Sequence, residues 1–344
     1  MPENDKPTPE QIKESAGKII NYMGGYIATW TIDIGIRAKL FETIANYPDG
    51  ITSAELADKT RLDFLYVDVW CRNAYGADLL DAKDGRYTFS PVMVEILLNR
   101  NHPAYISGTA QVFVGLRETF ESLREWIKNG DRIWWDTAPR EFVDAVAESS
   151  RPFYSRLLSF VEGHPDIHNI LTRGGTLLEV GVGYGAGLIR FAEKYPNAKF
   201  IGTDGDEHSL EQAKDIFPKA NMTDRVRFVK STFEDYGESE VADVALINIS
   251  LHEARDKKRA VESMYRALKP GGIIIISEFP YPDIQDNLRT PPSRVMSGVQ
   301  YFEAMINDQL LPTKEFVSLL NNAGFNDIKT VDITPVHVVI LGSK

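Results

Sequence analysis

The chain has 344 residues, 43% hydrophobic and 25% charged, ordinary values for a globular protein and enough length for two domains with full cores. Its formal charge of −11 (38 Lys and Arg against 49 Asp and Glu) argues against nucleic acid or an anionic membrane as the main partner, since both reward a basic face. The single cysteine, Cys71, excludes an internal disulfide, a Cys-rich zinc centre and an iron–sulfur cluster held by the chain's own thiols, and it points to a reducing compartment, the cytoplasm. The polar stretch 1–10 is expected to be a disordered tail and does not read as a signal peptide. No apolar run approaches the roughly 20 residues that a membrane helix needs.

Residues 11–100 read as three helices and a hairpin. Ile32, Ile36, Leu40, Phe41 and Ile44 recur at helical spacing, and Pro48-Asp49-Gly50 breaks the pattern. Thr52 with Glu55 fits a capping box that opens a helix over Ala54–Lys59. A further helix follows Asp63, through Leu65, Val69 and Ala74. Leu79-Leu80 and the pair Tyr87 and Phe89 read as strands around the turn Asp84-Gly85. This is the outline of a winged helix. The segment 101–173 is helical and aromatic, with breaks at Gly130 and Pro139, and includes Phe142, Phe153, Tyr154 and the pair Trp134 and Trp135. It reads as a linker or substrate lid. From 174 to 344 short apolar runs alternate with helical stretches: Leu177–Val180, Phe200–Thr203, Val226–Val229, Val244–Asn248, Ile273–Ser277, Ile328–Val331 and Val338–Leu341. The expected fold class is α/β, a Rossmann-like, doubly wound, seven-stranded sheet behind an N-terminal, mainly helical winged-helix domain.

The strongest local signal is Glu179-Val180-Gly181-Val182-Gly183-Tyr184-Gly185, between a strand and a helix. Glycine lets backbone pass close to a ligand, and the helix start offers free N–H groups. Two readings compete. Gly181, Gly183 and Ala186 satisfy the dinucleotide pattern, with Asp204 about 20 residues on to hold a ribose. Against that, Glu179 would repel a pyrophosphate and attract a cationic amine. After the third strand, Thr232 and Phe233 offer a polar group and an apolar ring that suit an adenine. With Asn248 at the end of the fourth strand, these residues form the candidate cofactor set.

The glycine run, Gly202-Thr203-Asp204, Leu251-His252 and Leu268-Lys269-Pro270-Gly271-Gly272, in this order and spacing, resemble a class I S-adenosylmethionine-dependent methyltransferase. The winged-helix-like start and the tail from Glu315-Phe316 to Val338-Val339-Ile340 are similar to the small-molecule O-methyltransferases that include caffeate and bacterial pigment and antibiotic enzymes. The resemblance implies S-adenosylmethionine as cofactor, a last strand running antiparallel, and a homodimer in which N-terminal helices are exchanged. It also implies that His252 deprotonates the acceptor hydroxyl, that Glu278 orients that histidine, and that Asp256 is a second acid of the same block. The block departs from the family at Glu253, Ala254 and Arg255. A further family acid falls near Leu310, where only Asp308 stands close.

The acceptor site is expected between the aromatic middle segment and the loop after the fifth strand, walled by Phe142, Val146, Phe153, Tyr154, Phe279, Tyr281, Met296, Tyr301 and Met305. The acceptor is then a small molecule, aromatic or polycyclic. No metal site is expected, because Pro165 interrupts the spacing of His164 and His168. The competing functions are transfer to nitrogen, carbon or sulfur, a non-transfer reaction of the same cofactor, an NAD-dependent enzyme, and a winged-helix regulator. The last is opposed by residues 50–100, which hold six Lys and Arg against eight Asp and Glu.

Overall fold

The computed structural model describes residues 6–133, 140–219, 222 and 224–344. Residues 1–5 of the expected tail, and Trp134, Trp135 and Pro139, lie outside the described residues. Met1–Arg117 with Asp144–Ser149 form one compact unit, and Glu118–Val143 with Ser150–Lys344 form a second.

The first unit opens with helix α1 (Pro9–Arg37), which begins inside the stretch read as a tail. The reason is local: Thr8 accepts from the Gln11 amide, and the Gln11 side chain accepts from the Thr8 amide, closing a capping box. The apolar stripe from Ile32 to Ile44 spans two helices, because Lys39 turns left-handed at φ 56° between α1 and α2 (Leu40–Ala45). The box of Thr52 and Glu55 opens α3 (Ser53–Thr60), and Asp63 caps α4 (Phe64–Gly76). On α4 the inward face is Val67, Trp70, Cys71 and Ala74, so Leu65 and Val69 are exposed at 64% and 47%. The i, i+3, i+4, i+7 spacing of the inward four is complete, which decides the face. The hairpin strands β1 (Asp81–Lys83) and β2 (Arg86–Thr88) turn at Asp84-Gly85, and Leu79, Leu80 and Phe89 flank them as core. Helices α5 (Pro91–Leu97) and α6 (Ser107–Gly115) complete the unit. On α4 the single base, Arg72, is paired with Asp68 at 2.6 Å.

The second unit contains all but the first residue of α7 (Arg117–Asn129), most of α8 (Arg140–Glu162) and α9 (Pro165–Thr172), so the segment 101–173 is divided between the units. A sheet then alternates with helices: β3 (Thr176–Val180), α10 (Ala186–Lys194), β4 (Lys199–Asp204), α11 (Glu207–Lys219), β5 (Val226–Lys230), β6 (Ala242–Asn248), α12 (Lys257–Ala267), β7 (Leu268–Glu278), α13 (Pro291–Met305), α14 (Thr313–Ala323), β8 (Asn326–Thr334) and β9 (His337–Ser343). The strand order is β5-β4-β3-β6-β7-β9-β8, with β9 antiparallel to both its neighbours and the other pairings parallel. This is the doubly wound, seven-stranded sheet expected from sequence.

Both faces of the sheet are covered. Leu177, Val244, Leu246, Ile275 and Val339 pack with Leu188 and Phe191. Leu178, Ala245, Ile247, Ile274, Ile276 and Ile340 pack with Val261, Met264, Phe316 and Leu320 on the other face. Such strands read as unbroken apolar runs for this reason. Each fully buried Ile or Leu contributes about 1.5–3 kcal/mol. The result is a rigid platform whose parallel strands end on one edge, where ligands bind in open α/β sheets.

Candidate active site

At that edge β3 passes into α10 through three glycines of positive φ, Gly181 (73°), Gly183 (54°) and Gly185 (80°). A side chain at Gly181 would be strained by that φ, and its Cβ would lie 2.7 Å from Ser250 Oγ and 2.9 Å from the Phe233 ring. At Gly185 a Cβ would meet the Phe217 ring at 2.7 Å. Gly183 faces open space, and its amide donates to Asp204 Oδ2 at 2.8 Å, while the Asp206 amide donates to Oδ1 at 2.9 Å. Asp204 thus stands at the end of β4 held by backbone donors, the Gly205 amide adding to those of Gly183 and Asp206. Burial raises its pKa, opposed by those donors.

Glu179 is fully buried. The Tyr154 hydroxyl donates to its Oε1 at 2.6 Å, and Oε2 has no partner among the described residues. Burial pushes the carboxyl up to about 8, against the Tyr154 hydrogen bond and with a contribution from the Asp204 charge. Tyr154, expected in the acceptor wall, is therefore a partner of Glu179, with its ring against Gly187. Ser250 Oγ and Thr203 Oγ1 are buried at the same edge without partners among the described residues, and the buried Asn248 amide stands beside the Tyr154 hydroxyl. Thr232 is exposed and donates to Asp235 at 2.9 Å.

The chain leaves β6 through Ile249, a β-branched residue at φ 51°, and enters a 3-10 turn, Leu251–Glu253. A positive φ is unusual for such a side chain, and it swings the turn over the end of β7. His252 is there buried, with Nδ1 2.9 and 3.0 Å from the two oxygens of Glu278. Glu278 Oε1 also accepts the Leu251 amide at 2.8 Å. On the other side of the ring, Nε2 lies 3.7 Å from Glu303 Oε2 and 3.9 Å from Glu253 Oε1. Burial opposes a charge on His252, but Glu278 and Glu303 override it and hold the imidazole well above its usual pKa. The Glu253 carboxyl is pushed up by burial, with Glu303 and Glu278 adding to the rise.

Glu303 is what sequence reasoning missed. It comes from α13, seven residues after the buried Met296 and between the buried Phe302 and Met305, and its Oε2 has no hydrogen-bond partner among the described residues. A lone acid on an otherwise apolar helix face was the available signal. The position near Leu310 stays apolar, and Asp308 is taken by Lys257 at 3.0 Å. Asp256 is a correction: it is exposed, caps α12 by accepting from the Arg259 amide at 3.0 Å, and forms no bond to His252. An acid just before a helix is drawn to the free N–H groups of its first turn.

Phe279 lies 6.2 Å from the His252 ring and 5.2 Å from Phe153, between ring centres. Phe142 packs on Phe302, Met296 and Met305 are buried, and the Tyr281 hydroxyl is 3.5 Å from Ser297 Oγ. Tyr301 is 53% exposed and meets Phe120 instead, and Val146 belongs to the first unit. His164 precedes α9, while His168 contacts the Tyr195 hydroxyl at 3.2 Å. His252, Glu253 and Glu303 each bring one ligand-type atom within 4.8 Å of the others, spacing that a small cation would also accept.

Residues 171–324 match the family of methyltransferase domains. The chain is 25% identical over 185 residues to a sterol 24-C-methyltransferase of Aspergillus fumigatus, covering 53% of this chain and 48% of that one. The chain thus spans about half the length of that curated relative. Among solved structures, an O-methyltransferase family protein from Burkholderia thailandensis superposes with a TM-score of 0.71 at 16% identity, over 96% of this chain and 98% of that one. Human N-acetylserotonin methyltransferase, solved in complex with S-adenosylmethionine, superposes with a TM-score of 0.66 at 20% identity, over 96% and 97%. These chains share one fold.

Proposed function

We propose that this chain is an S-adenosylmethionine-dependent methyltransferase that moves a methyl group to a hydroxyl of a small aromatic or polycyclic metabolite. The observation that carries the reading is the buried His252, held through Nδ1 by Glu278 at the ligand edge of a methyltransferase domain.

The residues present fit the cofactor. The open oxygen of Glu179 suits an ammonium, the two oxygens of Asp204 suit the ribose hydroxyls, and the glycines leave the loop unobstructed beside Phe233. When bound, the cofactor supplies a methyl group on a cationic sulfur. Glu278 accepts from Nδ1–H, which leaves the Nε2 lone pair of His252, on the side of Glu303 and Glu253, as the proton acceptor. An acceptor hydroxyl that takes the methyl group must lose its proton, and His252 Nε2 would receive it. Glu278 and Glu303 then hold the imidazolium. A raised imidazole pKa narrows the gap to a phenol, whose ordinary pKa is about 10, so the base is stronger at the cost of being unprotonated only at higher pH. Replacing His252 by Ala should lower turnover by 10² or more while affinity for S-adenosylhomocysteine holds. An unchanged rate would reduce the site's role to alignment.

A second reading is favoured by one observation. Glu253, Glu278 and Glu303 outnumber the one imidazole they surround. Such a surplus of acids suits an acceptor amine, and assay of paired amino and hydroxy forms of one aromatic acceptor separates the two. The cytoplasm as compartment and a homodimer belong to the same proposal. On α1, Ile19, Ile20, Met23, Tyr26 and Ile27 are each at least half exposed, an apolar face that suits a second copy of the chain. No helix among the described residues is long and apolar enough to cross a membrane.

A further inference from the structure

Four side chains from four elements form a single file that the reaction above does not use. Arg156 Nε, on α8, donates to His337 Nδ1 at 3.0 Å. His337 Nε2, at the start of β9, is 2.8 Å from Ser277 Oγ on β7. Ser277 Oγ is 2.6 Å from Asn248 Oδ1 at the end of β6. His337 and Ser277 are completely buried, and Asn248 is 5% exposed.

The guanidinium sets the direction of the file as far as Ser277, and the placement of Asn248 Oδ1 against Ser277 Oγ continues it. A guanidinium donates and never accepts, so His337 Nδ1 must be the bare nitrogen and Nε2 must carry the hydrogen. Nε2–H then donates to Ser277, and the serine hydroxyl donates onward to Asn248 Oδ1. The amide of Asn248 is left with Nδ2 pointing away from the file, buried beside the Tyr154 hydroxyl, whose phenolate form it favours, and with no hydrogen bond of full geometry among the described residues. Burial and the Arg156 charge push the His337 imidazole down to about 3, so the ring stays neutral and the direction persists across the physiological range. Leu246 pairs with Glu179 in the β3–β6 register, so Asn248 stands two residues beyond the partner of the carboxylate assigned to the cofactor's ammonium.

We propose that Arg156 and His337 are positioning residues that, through Ser277, lock the Asn248 amide with its N–H bonds turned to the ligand edge, where they receive the carboxylate of the cofactor's amino-acid part. Glu179 would thus take the ammonium and Asn248 the carboxylate of one α-amino acid. This rests on the cofactor reading above. It adds a polarity that neither the glycine loop nor the methyltransferase match contains.

The test compares Arg156→Met with Arg156→Lys in the full chain. Methionine removes the obligate donor, so His337 can adopt its other tautomer, Ser277 can reverse, and the amide can flip its oxygen toward the ligand. Affinity for S-adenosylhomocysteine should fall about tenfold in Arg156→Met, the loss of one hydrogen bond to a charged group, and stay within about twofold in Arg156→Lys. Affinity for 5′-methylthioadenosine, which lacks the amino-acid part, should stay within about twofold in both. Asn248→Asp removes the donors directly and should repeat the pattern of Arg156→Met, which covers the case in which that variant folds poorly. Nitrogen-15 spectra of the ligand-free protein should show His337 as the Nε2–H tautomer in the wild type and in Arg156→Lys, but not in Arg156→Met. Equal weakening of both ligands, unchanged binding of S-adenosylhomocysteine, or a wild-type Nδ1–H tautomer overturns the proposal. A wild type that binds neither ligand overturns the cofactor reading and the ligand assignment with it, while the spectra still decide the direction of the file.

Discussion

Substituting Glu179 by Gln probes one of the two fully buried acids of the site. The wild-type carboxyl has no solvent exposure and is pushed up from 4.5 to about 8. A rise of that size corresponds to about 5 kcal/mol against the ionised form in the ligand-free fold. Between pH 4.5 and 8 the folded state holds a proton that the unfolded state has released, so wild-type stability falls as pH rises across this window. Below it the contribution is fully present, and above it the contribution is gone. Gln cannot titrate, so the variant lacks this slope. Denaturant unfolding at pH 5, 7 and 9 should therefore show the variant gaining on the wild type by several kcal/mol over the series. Binding reports the same proton. At pH 7 the wild type must release it for Glu179 to pair with an ammonium, so calorimetry with S-adenosylhomocysteine in buffers of different ionisation heat should find about one proton expelled, and wild-type affinity should rise about tenfold from pH 6 to 7. The variant should expel none and bind about 10–100-fold more weakly near pH 8, where the wild-type pair is formed. A stability difference that is flat with pH, together with no proton release, would refute the burial argument.

Replacing Glu303 by Gln removes one of the two acids that raise His252, so the acidic limb of kcat/KM should move down toward the ordinary histidine value; a limb that stays in place would assign it to another group. Replacing Asp256 by Ala should cost about 1 kcal/mol of stability through the lost cap and leave kcat within about twofold, measured by unfolding and initial rates. The double substitution Ile20→Glu with Met23→Glu on the exposed face of α1 should shift the protein to a monomer in analytical ultracentrifugation, and a persisting dimer would place the interface elsewhere.

What could be read in advance follows from how local each signal is. The strands of the second unit were legible because the sheet is covered on both faces, so runs such as Ile273–Ile276 are continuous, and the glycines of the loop were legible because glycine adopts a positive φ at the least cost. His252 and Glu278 sit at ends of adjacent strands, where topology alone brings them together. Glu303 was hidden because α13 reaches the histidine only through tertiary packing, with 50 intervening residues that no spacing rule spans. Asp256 misled because its distance in sequence from His252 is short, while the first turn of α12 competes for the same carboxylate. Tyr154 was read by its ring and acts by its hydroxyl.

The order of strands in space differs from their order along the chain, and this bears on how the protein is made. β8 is synthesised before β9 but lies outside it, so it has no sheet neighbour until β9 slots between it and β7. Until then β7 presents an open hydrogen-bonding edge, and His337 is not yet beside Ser277. Strand insertion and completion of the buried polar file are therefore one event. A nascent chain halted after β8 would have its glycine loop, its histidine and its acids, and still lack the piece that sets the direction of Asn248.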